Sequence, residues 1–431
     1  MLLAAREAQR GLARLSGADR DQAIRAVADA LHRRQAEILA ANDEDVARGA
    51  ALSPALLDRL RLTPARLSAL EAAIRAVAAQ PDPLAGEEAP GPVIGGMNPP
   101  AGTTASLHAS WTGPTGIVIS ERRVPLGVIA IVYEARPNVA AECAALTLKS
   151  GNALVLRGGK EAQASSRAIV QAIADGLSEV GLDQAVVQLV TDPAREAVVE
   201  LLRATGLVDL VIPRGGAGLM ALVDAEARVP VIRHGQGICH VYVDAQADLA
   251  MALDITDNAK TQRPGVCNAL ETLLVDAAIA EPFLSALGPR LGAKGVELRA
   301  CERSRPVLER AGTTCRAAHP EDYDTEFLAL ILAVLVVDGL PAALEHIARH
   351  GSHHTASIVT QDPKAAERFL SEVDASCVLH NASTRLNDGG ELGLGAEMGI
   401  STSKLHAYGP MGAKELTQKK RVVRGTGQIR P

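Results

Sequence analysis

The sequence predicts an α/β protein built on a mostly parallel, doubly wound sheet. Two observations predict it. From Val124 onward, short β-branched apolar runs alternate with segments of helical periodicity. Glycine-rich turns follow several of these runs and open the helices behind them. The size and composition agree: 431 residues, 47% hydrophobic and 22% charged, enough for two or three domains around a large core. Ligands of such sheets bind at the carboxyl ends of the strands, so those turns are where chemistry is sought.

In chain order, the first 80 residues read as helices. Ile24, Val27, Ala28 and Leu31 follow the i, i+3, i+4, i+7 pattern, and Asp19 with Gln22 resembles a capping box. Ser53-Pro54 and Thr63-Pro64 each pair an N-cap residue with Pro at the first helical position. Leu67, Leu70, Ile74 and Val77 continue one apolar stripe. These helices read as packing rather than chemistry. Residues 81–102 are rich in Pro and Gly and read as a connector. Ser106 to Trp111 and Gly116 to Arg122, around Thr112-Gly113-Pro114-Thr115, read as a hairpin, either an assembly element or an ordinary edge ribbon.

The first alternating block places strands at 128–133, 153–156, 186–190 and 208–212, with helices at 139–148, through Ile169, Ile173 and Leu177, at 193–204 and shortly after 218. The second places strands at 239–243, 271–275, 296–299, 327–337, 356–359 and 377–380, with helices at 282–291, 341–350 and 363–371. The tail from Gly389 is glycine-rich and ends in a basic stretch, Lys419-Lys420-Arg421.

Composition excludes some functions. Net charge is −6 and aromatics are 2%, so the basic face and stacking rings of a nucleic-acid binder are not in view. The six cysteines, at 143, 239, 267, 301, 315 and 377, form no C-x-x-C pair. His353-His354 lacks a third ligand at a suitable spacing, so no metal is expected. Residues 1–20 carry four arginines and no apolar core, unlike a secretory signal, and the longest apolar run, 327–337, is too short to span a bilayer. A reduced, cytoplasmic setting is expected.

The sharpest chemical candidate is Cys267, which follows the turn-forming Pro264-Gly265 and precedes a strand. Lys260 and Arg263 stand upstream and are expected to favour its thiolate. A buried, inert cysteine would read the same way locally. Arg157-Gly158-Gly159-Lys160 and Arg214-Gly215-Gly216-Ala217-Gly218 open helices and suit a phosphate, with Arg157 and Lys160 placed to favour NADP over NAD. Neither turn is G-x-G-x-x-G, and glycines there also serve steric ends alone. Asn138, after Arg136-Pro137, is an oxyanion donor or a turn residue. Glu326 anchors a ribose or is a solvated strand end.

Together these pieces resemble a known family. They include Val124-Pro125-Leu126-Gly127-Val128-Ile129, Tyr133-Glu134-Ala135-Arg136-Pro137-Asn138, Lys149-Ser150-Gly151-Asn152 and Val266-Cys267-Asn268-Ala269-Leu270-Glu271-Thr272. Asp324-Thr325-Glu326-Phe327 and Gly393-Leu394-Gly395-Ala396-Glu397-Met398-Gly399-Ile400-Ser401-Thr402 add to them. Nearly the whole chain is similar to the glutamate-5-semialdehyde dehydrogenases, a branch of the aldehyde dehydrogenase superfamily.

The resemblance implies a Rossmann-type cofactor domain (1–104, 124–245 and 376–395), an α/β catalytic domain (246–375) and a small β assembly element (105–123 and 396–431) in a homo-oligomer. It implies NADPH-dependent reduction of L-glutamyl 5-phosphate to L-glutamate 5-semialdehyde in proline biosynthesis, through a Cys267 thioester. Asn138 and the Cys267 N–H would hold the oxyanion. Arg157, Lys160, Gly215, Gly216 and Glu326 would contact NADP(H). Arg136, Arg263, Ser401 and Thr402 are the substrate candidates, and glutamate 5-kinase is the candidate protein partner. Hydrolytic relatives carry Glu-Leu-Gly-Gly where this chain reads Arg233-His234-Gly235-Gln236-Gly237, so the water-activating carboxylate is missing. A dehydrogenase oxidising another semialdehyde and a non-catalytic remnant are the rival readings. Two residues depart from the family pattern: Tyr408 stands for Arg and Leu335 for Lys.

Overall fold

The computed structural model describes residues 1–86, 110–233 and 235–430. Most of the Pro/Gly connector and residues 106–109 of the expected hairpin lie outside them. Five helices come first: α1 (Leu2–Leu12), α2 (Gly17–Arg33), α3 (Gln35–Arg48), α4 (Pro54–Leu60) and α5 (Pro64–Ala79). The capping box of α2 is Ser16 with Asp19, three residues before the expected one; the Ser16 hydroxyl accepts from the Asp19 N–H at 3.2 Å. Asp19 is the third helical residue rather than the cap.

After β1 (Ser110–Thr112) and β2 (Val118–Pro125) the first alternating block runs β3 (Val128–Tyr133), α6 (Val139–Lys149), β4 (Ala153–Gly158), α7 (Gln163–Glu179), β5 (Val187–Leu189), α8 (Arg195–Arg203), β6 (Leu210–Arg214) and α9 (Ala217–Glu226). Its four strands pair in parallel in the order β5-β4-β3-β6. Both faces are covered, which is why β3 is an unbroken apolar run. Ile129, Ile131 and Tyr133 pack with Ile24, Leu70, Ile74 and Ile173 on one side. Val128, Ala130 and Val132 pack with Val198, Leu202 and Val223 on the other.

The second block runs β7 (Cys239–Val243), α10 (Leu249–Thr261), β8 (Leu270–Asp276), α11 (Ala280–Gly292), β9 (Glu297–Ala300), α12 (Arg305–Arg310), β10 (Cys315–Ala317), β11 (Ile331–Val337), α13 (Gly339–His350), β12 (Thr355–Val359), α14 (Pro363–Glu372) and β13 (Cys377–His380). All seven strands are parallel, in the order β10-β9-β11-β8-β7-β12-β13. This moves two boundaries. β7 and β13, read from the pattern as part of the second block but assigned through the resemblance to the cofactor domain, are hydrogen-bonded into the second sheet. Helices α10 and α12 and strand β10 were not expected. The 11-residue strand also shortens. Leu328 takes φ +52°, a conformation that a continuing strand excludes, and pairing starts at Ile331.

The tail forms β14 (Ile400–Ser401), β15 (Gly409–Pro410) and β16 (Thr417–Arg424). β16 lies antiparallel on β2, which carries β1 on its other edge, so the hairpin and the tail share one small sheet.

One cluster in the second block predicts acid sensitivity. His240, on β7, is 1% exposed, and its ring lies 5.5 Å from that of His346 on α13. Burial lowers His240 to about 4 and His346 to about 3. A His with a depressed folded pKa contributes stability that is present above its unfolded value of about 6.5 and is lost as pH falls toward the folded value. His240 alone should cost about 2 kcal/mol between pH 7 and pH 5. Urea midpoints across that range should show the loss, and His346→Phe should flatten it; an unchanged slope in the variant would reject the assignment.

Candidate active site

Cys267 sits half-buried on the turn between the end of α10 and the start of β8. The turn is clamped from three sides. Arg59 of α4 donates from Nε to the Gly265 carbonyl at 3.0 Å and also through Nη2. Asn268, 3% exposed, donates to the Asn387 carbonyl at 2.9 Å, and Arg385 donates to its side-chain oxygen. The buried Cys239 thiol donates to the Cys267 carbonyl at 3.1 Å. Gly237 presses on the same carbonyl, leaving no room for a Cβ. Gly237→Ala should therefore displace Cys267 and, if that thiol is the nucleophile, lower kcat by about a hundredfold, as small misplacements of reacting groups do. A near-normal kcat would show that the loop yields at no cost.

The cations acting most on the thiol are not those expected from sequence. Burial and the nearby Glu397 and Glu326 push Cys267 up, and Arg214 and Arg136 oppose them. Lys260 is fully buried and paired with Glu271 at 2.6 Å, while also donating to the Leu270 carbonyl at 2.8 Å. Arg263 reaches outward to Asp58 at 2.9 Å. Arg136 is aimed by Ala135, whose φ is +44° and whose N–H is held by the Glu161 carboxylate at 2.6 Å. Its guanidinium is lowered to about 9 by burial and by Arg214 and Arg59. So a helix read as packing contributes here: α4 supplies Arg59, more than 200 residues before the turn it holds. No local pattern marks Arg59 or Arg385; only the fold brings them to Cys267.

The remaining candidates divide. Asn138 precedes α6 and donates to both Glu142 carboxylate oxygens at 3.2 Å, inside the same charged cluster. Glu326 is half-buried before β11, raised by burial, and accepts from the Gly237 N–H. Ser401 is fully buried and its hydroxyl donates to Ser403 O at 3.2 Å. Thr402 Oγ1 accepts from Gly235 N–H at 3.0 Å, tying the tail to the loop beside the nucleophile. Tyr408 donates to Asp374 at 3.0 Å, where Lys404 also binds at 2.8 Å. Leu335 packs partly buried beside the core of α13 and β12, opposite Leu274.

Gly215 and Gly216 join β6 to α9, and the Gly216 N–H donates to Glu134 at 2.8 Å. The helix N-terminus thus faces a carboxylate oxygen, and a Cβ on Gly218 would meet nothing. Lys160 is exposed just beyond β4. Arg157 is engaged inward, donating to Pro193 O at 2.6 Å, Gly158 O at 2.9 Å and Ala194 O at 3.2 Å. Among the described residues no group of three or more His, Cys, Asp or Glu could hold a metal ion, and no helix is long and apolar enough to cross a membrane.

A half-buried thiol among arginines, beside parallel sheets, can be compared with known proteins. Residues 1–297 match the aldehyde dehydrogenase family. A gamma-glutamyl phosphate reductase of Anaeromyxobacter sp. (strain Fw109-5) is 51% identical over 429 residues, 99% of this chain and 96% of that one. The chain belongs to this branch of the aldehyde dehydrogenase family. A gamma-glutamyl phosphate reductase of Thermus thermophilus is 50% identical over 428 residues, 99% of this chain and 98% of its own. The crystal structure of a gamma-glutamyl phosphate reductase from Thermotoga maritima superposes with a TM-score of 0.88 at 40% identity, covering 100% of this chain and 99% of the other. Aldehyde dehydrogenases work with NAD(P).

Proposed function

We propose that this chain reduces L-glutamyl 5-phosphate to L-glutamate 5-semialdehyde with release of phosphate, the second step of proline biosynthesis. The name of its relatives supplies the substrate. The observation in this chain that carries the chemistry is the set of arginines, Arg59, Arg136 and Arg214, around a cysteine with no water-activating carboxylate at Gly235 to Gly237. Such a site attracts an acyl phosphate and keeps the resulting thioester from water.

In the proposed sequence the Cys267 thiolate attacks the acyl carbon, forming C–S while the C–O bond to phosphate breaks. Arg59 and Arg136 take the charge of the departing phosphate. The Asn138 side chain, released from Glu142, and the Cys267 N–H donate to the oxyanion. Reduced nicotinamide cofactor, when bound, supplies the hydride that the thioester accepts. Collapse of the thiohemiacetal then frees aldehyde and thiolate. Lys160, Gly215, Gly216 and Glu326 would hold the cofactor, with Lys160 favouring NADP, and Arg157 would brace the end of β4. The paired β2 and β16 would join copies of the chain, and glutamate 5-kinase would deliver the unstable acyl phosphate.

The reaction is tested in reverse. Pyrroline-5-carboxylate, in equilibrium with the semialdehyde, should reduce NADP only when phosphate is present. Turnover without phosphate would mean that water resolves the thioester, and an oxidising dehydrogenase would replace this reading.

A further inference from the structure

The proposed cycle uses Cys267, Arg59 and Arg136 but leaves Arg214 and a carboxylate beside them unexplained. Glu397 lies in the tail segment before β14. Its Oε2 accepts from the Gly389 N–H at 2.9 Å. The backbone on either side is pinned: Met398 N–H donates to Met411 O at 2.8 Å, and Met411 N–H to Gly399 O at 2.9 Å. The accepting loop is tied to the nucleophile, since Asn387 O takes the Asn268 amide at 2.9 Å. A Cβ at Gly389 would lie 2.7 Å from the Glu397 Cβ, so this packing requires glycine. Glu397 is therefore a fixed carboxylate within electrostatic reach of the thiol. Arg214, from the end of β6, lies against Gly399, in the place of the Cβ that this residue lacks, and its buried Nε has no partner. Glu142, Asp388 and Arg136 complete the charged surroundings.

We infer that Glu397 binds the α-ammonium group of the substrate and Arg214 its α-carboxylate, so that the pair selects an α-amino acid over a plain aldehyde acid. The inference rests on the proposed reduction. In a glutamyl group two methylenes separate the reacting carbon from the carbon bearing both charges. Glu397 and Arg214 act on Cys267 through their charge and not through a hydrogen bond, as groups holding the far end of such a chain would. Burial and nearby acids push the Glu397 carboxyl up to about 7. An arriving ammonium offsets that cost, whereas a neutral chain leaves the carboxylate unpaired. Held as an ammonium, the nitrogen also lacks the lone pair that would close the product into its cyclic imine on the enzyme.

The test compares two aldehydes in the reverse direction with NADP and phosphate: glutamate 5-semialdehyde and glutarate semialdehyde, which lacks only the amine. Glu397→Gln should lower kcat/KM for the amino aldehyde about 100-fold, chiefly through KM, and change the other less than about threefold. Glu397→Asp, which keeps the charge, should retain the preference for the amino aldehyde and guards against a folding failure in the first variant. Equal losses on both aldehydes would assign Glu397 to proton transfer or to structure and overturn the inference. No phosphate-dependent turnover by the native chain with either aldehyde would instead overturn the proposed reduction, and this assignment with it.

Discussion

Cys267→Ala is expected to lower phosphate-dependent NADP reduction by about four orders of magnitude or more, because no other group can carry the acyl chain. Cys239 is the nearest alternative thiol, but it is buried, raised by burial, and engaged with the Cys267 carbonyl and His354. The variant should remain folded, since the clamps on the turn bind the backbone at 265 and 267 and the Asn268 side chain rather than the thiol. Residual turnover at a tenth of native would assign the nucleophile elsewhere. The same thiol predicts a pH profile. Burial, Glu397 and Glu326 hold it above the usual range of a free cysteine against Arg214 and Arg136. Iodoacetamide labelling of the Cys267 peptide in the ligand-free protein should therefore still be rising at pH 9, and Arg214→Gln should slow it further. A plateau near pH 7 would contradict this field.

The largest stability effect is expected at Lys260. Its ammonium and the Glu271 carboxylate are both fully buried, 2.6 Å apart, on the two elements that flank the nucleophile turn. Burial works against charge on each partner, lowering Lys260 and raising Glu271, and each is opposed by the other. The Leu270 carbonyl and the Leu328 N–H complete the network, at 2.8 and 3.1 Å. Lys260→Met would leave Glu271 buried without its cation, at a cost of about 3–5 kcal/mol. The double variant Lys260→Met with Glu271→Leu should recover much of the loss, because it removes both charges. Urea denaturation of the three proteins decides the matter. If the double variant is no more stable than the single, the pair is not coupled.

The alternation of apolar runs and helical periods was sufficient to predict the two parallel blocks. β3, β7 and β13 begin and end, and α14 begins, where local pattern places them, because strands buried on both faces and capped helices carry their own signals. The candidate nucleophile was legible as a candidate for a similar reason: Pro264, Gly265 and Cys267 lie within four residues, so one turn contains the motif. Strand order within each sheet was not legible, and the domain bounds that the resemblance implied cut across the second block. β7 and β13 look like their neighbours in sequence, and only strand order shows β7 inside the second sheet and β13 at its edge. The charge around Cys267 was not legible either. Lys260 and Arg263 are near in sequence but turn to Glu271 and Asp58, whereas Arg59, Arg136, Arg214 and Glu397 arrive from four separate segments. Local pattern records how a residue sits on its own helix or strand. Which charges share a low-dielectric pocket depends on how those elements are stacked, and that is decided only when the chain has folded.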